Sequence, residues 1–330
     1  MKIIDALYNF LGTPIDSAGT FKELPYLLIF KTTNYCWFKC PHCCEKAGPD
    51  QEKTYIPQET ITSFLTQAKQ DSKFLNEVVF TGGEIFSSYK FGDKQYITNL
   101  LQFCIDNKIG ADIKTNAGWA NTSFGHEIFS DLKKLITKNE PGEHEMPKIQ
   151  ISLSLDTYHT NCFENNMRVI KELAGLPVMI HLSSFDDQEE LLHTFEQELF
   201  KHVKKDDLFS LNSGTNYKLL NGKTLYFSSK AILFSGGRAS KMNNAYQIQY
   251  PQFAFVSYVY NNPHTLVAFD NFGRVTLGEN SGRKIMTPWL DEHQKPKDLP
   301  QIKKELLRRC EIEDQYYWFY ERIFNPIITR

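Results

Sequence analysis

From residue 26 to about residue 200, strand-sized apolar segments alternate with stretches whose apolar residues recur at helical spacing. That alternation restricts the chain to a parallel sheet or barrel flanked by helices. Tyr26–Lys31, Val78–Phe80, Ala111–Thr115, Ile149–Asp156 and Val178–Leu182 read as strands, and Ala231–Phe234 as a sixth. The helical sets are Ile61, Phe64, Leu65 and Ala68 behind Pro57; Ile97, Leu100, Leu101 and Cys104; Ile128, Leu132, Leu135 and Ile136; Phe163, Met167, Ile170 and Ala174; and Leu192, Phe195 and Leu199.

Residues Ile149–Asp156 carry the most information among the strands. Ile149, Ile151, Leu153 and Leu155 alternate with Gln150, Ser152, Ser154 and Asp156. A polar inward row implies a barrel lumen that holds something other than aliphatic core; a solvent-facing strand edge gives the same pattern. After about residue 240 strands lie close in sequence, with a turn at Asp270–Gly273, and an aromatic helix is expected from Gln301 to Phe324. The expected organisation is an amino-terminal extension over 1–25, a core over 26–240 and a carboxy-terminal α+β extension over 241–330.

Seven cysteines are present, four of them at 36, 40, 43 and 44, with Cys104, Cys162 and Cys310 isolated. The odd, clustered distribution argues against a disulfide framework and for a metal site. A formal net charge of −2 gives no overall electrostatic case for nucleic acid. The amino terminus, interrupted by Asp5 and Asn9, lacks a signal-peptide core, and no run reaches membrane-spanning length. A cytoplasmic location is expected.

Cys36-x3-Cys40-x2-Cys43 follows the first strand directly. Soft thiolates so spaced can converge on one iron–sulfur cluster, or on a structural zinc completed by His42 or Cys44. The run from Lys31 to Cys43 resembles the cluster loop of radical S-adenosylmethionine enzymes. The resemblance implies a partial (β/α)6 TIM-type barrel with a carboxy-terminal β-hairpin and helix. It also implies a [4Fe–4S] cluster on Cys36, Cys40 and Cys43, whose fourth iron binds S-adenosylmethionine. Reductive cleavage to a 5′-deoxyadenosyl radical, oxygen sensitivity and a flavodoxin or ferredoxin electron donor follow from it.

Gly82-Gly83-Glu84, at the end of the second strand, resembles the family's methionine-binding segment. By the same resemblance Thr115, Asn116, Ser152, Ser154, Asp156 and Gly236 contact the cofactor. Cys162, Cys310 and His159 are candidate catalytic groups, although buried thiols and a loop histidine read as readily from the sequence. Cys104 belongs to an apolar helical face, and Arg238 either binds a substrate carboxylate or pairs with an acid. The single cluster and compact size favour a small-molecule biosynthetic substrate. The alternatives are a maturase acting on a peptide or protein, faintly suggested by Asp270-x2-Gly273-x-Val275, and a non-catalytic metal-binding module.

Overall fold

The computed structural model describes residues 26–242 apart from 44, 72–74, 143–144, 211–215 and 232–237. It also describes 266–270, 274–277, 286–288 and scattered positions from 291 to 305. Five strand–helix units come first: β1 (Tyr26–Thr33) and α1 (Gln58–Asp71), β2 (Leu75–Gly82) and α2 (Tyr96–Asp106), β3 (Gly110–Thr115) and α3 (Gly125–Lys138), β4 (Ile149–Leu155) and α4 (Cys162–Leu173), β5 (Met179–Phe185) and α5 (Glu189–His202). Strands β6 (Lys205–Ser210), β7 (Asn216–Leu220) and β8 (Thr224–Ala231) follow, then β9 (Leu266–Asp270), β10 (Arg274–Leu277) and β11 (Met286–Pro288).

All of these strands join one sheet in the order β11-β10-β9-β1-β2-β3-β4-β5-β8-β7-β6. Every pairing from β9 to β8 is parallel. Antiparallel hairpins finish both ends. This is the expected α/β partial barrel with its carboxy-terminal hairpin. The sixth parallel strand of the barrel is β8, seven residues earlier than Ala231–Phe234. The Thr224 hydroxyl fixes its start, lying 3.1 and 2.7 Å from the Leu173 and Leu176 carbonyls and accepting Gly175 N–H at 2.8 Å.

Parity along the strands sorts their side chains between two faces. Leu28, Phe30, Val78, Phe80, Ile113, Ile151, Leu153, Ile180 and Leu182 join the helices in one core, where Cys104 is also wholly buried. The opposite face carries Lys31, Glu77, Asp112, Lys114, Gln150, Ser152, His181 and Ser229. Strand β4 lies between β3 and β5, so its polar row is not a sheet edge. Lys114 is exposed although it sits on the central strand β3 between two buried residues. The polar face therefore borders open space.

No helix of the described residues is long and apolar enough to cross a membrane. Residues 1–25, Cys44, Gly236, Cys310 and the Tyr316–Tyr320 aromatic run lie outside the described residues.

Candidate functional site

The cysteine loop leaves β1 and is clasped at its base. Cys36 N–H donates to the Gly48 carbonyl at 3.2 Å and Gly48 N–H to Asn34 at 3.1 Å. Arg238, from the far end of the barrel sequence, closes the clasp. Its Nε donates to the Cys40 carbonyl at 2.8 Å and its Nη2 to the Ala47 carbonyl at 2.6 Å, while its backbone N–H donates to Cys43 at 2.9 Å. Arg238 thus directs two of its guanidinium donors at loop carbonyls, and no local sequence signal announces that.

Cys36 and Cys40 are buried and Cys43 is partly so, all three as free thiols. Burial pushes the Cys36 thiol up to about 12, and the Glu84 carboxylate adds to the rise. A cation such as iron would reverse that logic by stabilising the thiolate. Asn116 Nδ2 and Phe38 N–H each approach the Cys36 sulfur at 3.4 Å. Among the described residues, the one trio of potential metal ligands gathered within 4.8 Å is His42, Asp156 and His159.

Gly82 and Gly83 bring β2 against this loop. Gly82 has φ of +120°, and Gly83 N–H donates to the Thr33 carbonyl at 2.6 Å. A Cβ on Gly83 would fall on the Tyr35 carbonyl. The glycines allow close approach of backbone to backbone here.

Glu84 is completely buried. Thr115 Oγ1 lies 2.9 and 2.8 Å from its two oxygens, Phe86 N–H reaches Oε1 at 3.2 Å and Asn116 N–H reaches Oε2 at 3.1 Å. Trp119 Nε1–H and Ala117 N–H, at 3.0 and 3.1 Å, occupy the lone pairs of the Thr115 hydroxyl. Its hydrogen therefore goes to Glu84. Burial pushes the Glu84 carboxyl up to about 7 despite these donors. Among the described residues no lysine or arginine lies within ion-pair distance of it. A buried carboxylate with neutral donors and a remaining acceptor position is a fitting partner for an ammonium group.

Asp156 ends β4 and turns back on its own chain. Its Oδ1 accepts Tyr158 and His159 N–H at 2.9 and 3.0 Å, and its Oδ2 lies 2.8 Å from His159 Nδ1. Burial lowers the His159 pKa, but its bonds to Asp156 and Cys40 outweigh that and raise it to about 10. Burial pulls His42 down to about 4. At neutral pH His42 is uncharged, so its 3.9 Å approach to Asp156 is no ion pair. His42 Nδ1 is buried without a partner. Asp156 is thus engaged by His159 and its own turn.

Lower on the open face a hydrogen-bond chain crosses four strands. Ser152 Oγ donates to Asp112 Oδ1 at 2.6 Å and lies 3.3 Å from His181 Nδ1, whose Nε2 lies 2.7 Å from Ser229 Oγ. Because the Asp112 carboxylate only accepts, Nδ1 carries the imidazole hydrogen and Ser229 donates to Nε2. Burial keeps His181 neutral, down at about 4. Ser154 is half-buried, and its carbonyl accepts the Cys162 thiol at 2.9 Å. Asp156 N–H and Asn166 Nδ2 each approach that sulfur at 3.4 Å. Cys162 is accordingly bonded within the β4–α4 junction.

The structure brings Cys36, Cys40, Cys43, Gly82–Glu84, Thr115, Asn116, Asp156 and His159 together at the carboxyl ends of parallel strands, where barrel enzymes place their chemistry. Ser152 lies deeper. The thiols, the buried Glu84 and the unpartnered His42 nitrogen fit an iron–sulfur cluster with an amino-acid-bearing ligand.

No family model matches the chain. It is 27% identical over 129 residues to YydG of Bacillus subtilis (strain 168), a peptide biosynthesis protein by name; the match covers 38% of this chain and 34% of that relative. Among solved structures, Streptococcus suis SuiB bound to S-adenosylmethionine aligns at 14% identity and a TM-score of 0.39, over 83% of this chain and 63% of that one. Native anSMEcpe with bound AdoMet aligns at 13% identity and 0.42, over 79% and 76%. BtrN in complex with AdoMet and 2-DOIA aligns at 10% and 0.33, over 78% and 74%. In its three-cysteine loop, the Gly-Gly-Glu turn after the second strand and the parallel sheet that joins them, the chain resembles the radical S-adenosylmethionine enzymes.

Proposed function

We propose that this protein is a radical S-adenosylmethionine enzyme that modifies a peptide or protein. The observation that carries the reading is the placement of three free thiols on one clasped loop beside a buried Glu84 that, among the described residues, has no lysine or arginine within ion-pair distance. Cys36, Cys40 and Cys43 would hold the cluster, and Glu84 the methionyl ammonium. When bound, a [4Fe–4S] cluster and S-adenosylmethionine supply a 5′-deoxyadenosyl radical by reductive cleavage. The chain's own work is to bind and orient. Thr115 and the Asn116 amide fix the Glu84 carboxylate, Arg238 fixes the cysteine loop, and the sheet provides an open polar face for substrate.

Sequence reasoning inclined to a small-molecule substrate. The likeness to YydG supports a peptide instead, and the exposed Lys114 on the open face suits an extended polar substrate better than a closed pocket would. Electrons would come from a flavodoxin or ferredoxin. Anaerobically reconstituted protein should bind four irons, and with dithionite release 5′-deoxyadenosine, whereas Cys40→Ala should not. Peptides encoded beside this gene should gain or lose mass in the same assay. Cleavage retained by Cys40→Ala would refute the enzyme reading; modification of small molecules alone would refute the peptide one.

A further inference from the structure

One lateral row on the open face of the sheet is aromatic, and the proposed chemistry has not used it. Strand register lines up Lys114, Ser152, His181, Phe227 and Tyr217 across β3, β4, β5, β8 and β7. Cross-strand partners point to the same side of a sheet, so all five share that face. The His181 and Phe227 rings stack 4.6 Å apart at 9°, and those of Tyr217 and Phe227 5.2 Å apart at 24°. Parallel rings this close cannot lie side by side in one plane, so they stand upright and turn their edges toward the open face. All three are half-buried. The core takes the adjacent Tyr226, on the opposite parity, and leaves Phe227 and Tyr217 out. Ser152 and Ser229 hold the two His181 nitrogens at 3.3 and 2.7 Å, which fixes the ring. The next row toward the carboxyl ends of the strands is Ser154, Ser183 and Ser229, whose small side chains leave room above the rings.

We propose that His181, Phe227 and Tyr217 form a subsite for an aromatic side chain of the substrate. The inference deepens the peptide reading, on which it rests for its occupant. Ring edges carry the positive part of the aromatic quadrupole and ring faces the negative part. A ring laid across upright edges therefore meets them edge to face, an attraction that a leucine side chain lacks. Cross-strand packing explains why the three rings touch one another. It does not explain why they stand half-buried outside the core, around a histidine bonded at both nitrogens; apolar surface grouped in this way marks a binding surface. Four residues of β4 separate Ser152 from Asp156, so the row lies about 13 Å below the mouth. A side chain seated on it reaches into the barrel from the end where the cysteine loop sits.

Nuclear magnetic resonance of the full chain tests this with N-acetyl-phenylalaninamide and N-acetyl-leucinamide as probes. The His181 ring resonances, assigned by their loss in His181→Asn, should shift with the phenylalanine probe and severalfold less with the leucine one. Phe227→Leu should weaken binding of the phenylalanine probe severalfold. Tyr217→Leu, at the outer end of the row, gives the same reading where the first variant does not fold. Equal shifts from the two probes, or none from either, would overturn the subsite, as would unchanged affinity in a folded variant. In a peptide that the enzyme modifies, exchange of its aromatic residues for leucine should raise KM severalfold, and an unchanged KM would also overturn it. If the phenylalanine probe shifts His181 while no peptide is modified, the subsite stands and the peptide reading falls.

Discussion

The Thr115 hydroxyl sits astride the Glu84 carboxylate, 2.9 Å from one oxygen and 2.8 Å from the other. This single contact joins the end of β3 to the end of β2 and holds a fully buried acid in place. Thr115→Val keeps the shape and removes the donor. It should destabilise the fold by about 1–3 kcal/mol, because Glu84, Trp119 Nε1 and Ala117 N–H all lose a partner. Denaturant midpoints of the two proteins measure it. If the midpoints agree, the hydroxyl does not anchor Glu84.

Gly83 tests the approach between β2 and the cysteine loop. A methyl group there meets the Tyr35 carbonyl, a backbone atom that has no rotamer to escape into. Gly83→Ala should cost about 2–4 kcal/mol and impair iron loading together with stability. Gly92, whose added Cβ would meet nothing within 4 Å although its φ is +90°, provides the comparison. Gly92→Ala should cost only about 1 kcal/mol and leave iron loading intact.

Arg238 donates to the carbonyls of Cys40 and Ala47 from 198 and 191 residues away. Arg238→Met should therefore loosen the cysteine loop more than the barrel. Iron should be lost to a chelator severalfold faster while far-ultraviolet circular dichroism and the main unfolding transition change little. Equal rates of loss would remove the proposed staple.

Glu77 makes a pH-dependent prediction away from the cluster. Burial first, and the neighbouring Asp112 second, raise its carboxyl from 4.5 to about 7, with Lys114 opposing. The folded chain thus holds this proton more tightly than the unfolded chain. The linked stability is fully present below about pH 4.5, drains away as pH rises through about 7 and is absent above it. Glu77→Gln should remove about 1–3 kcal/mol of that pH dependence, so its advantage over the wild type should grow between pH 5 and pH 8. Urea midpoints at the two pH values supply the comparison.

The sequence was most legible where spacing alone carries meaning. Cys36-x3-Cys40-x2-Cys43 and Gly82-Gly83-Glu84 are short motifs that sit beside a strand, and the helical sets around Ile61, Ile97 and Leu192 mark buried faces that the structure reproduces. Legibility failed where the partner is distant or the pattern is polar. Lys205, Asp206 and Asp207 open β6 without an apolar face, so the hairpin of β6 and β7 left no signature. Arg238 finds its partners across most of the barrel sequence. In the Gln150–Asp156 row Ser152 bonds to Asp112 and Asp156 to His159, partners that the alternation does not name. Alternation fixes which face a side chain takes but says nothing about which neighbour claims its polar atoms.

The central claim is that three sulfurs hold a cluster whose remaining iron is open to S-adenosylmethionine. Electron paramagnetic resonance of the dithionite-reduced, reconstituted protein tests it most directly. The account predicts a [4Fe–4S]⁺ signal that changes shape when S-adenosylmethionine is added, and no such change in Glu84→Ala at the same concentration. A spectrum indifferent to S-adenosylmethionine in the wild-type protein, or a purified protein that carries zinc and forms no cluster, would contradict it.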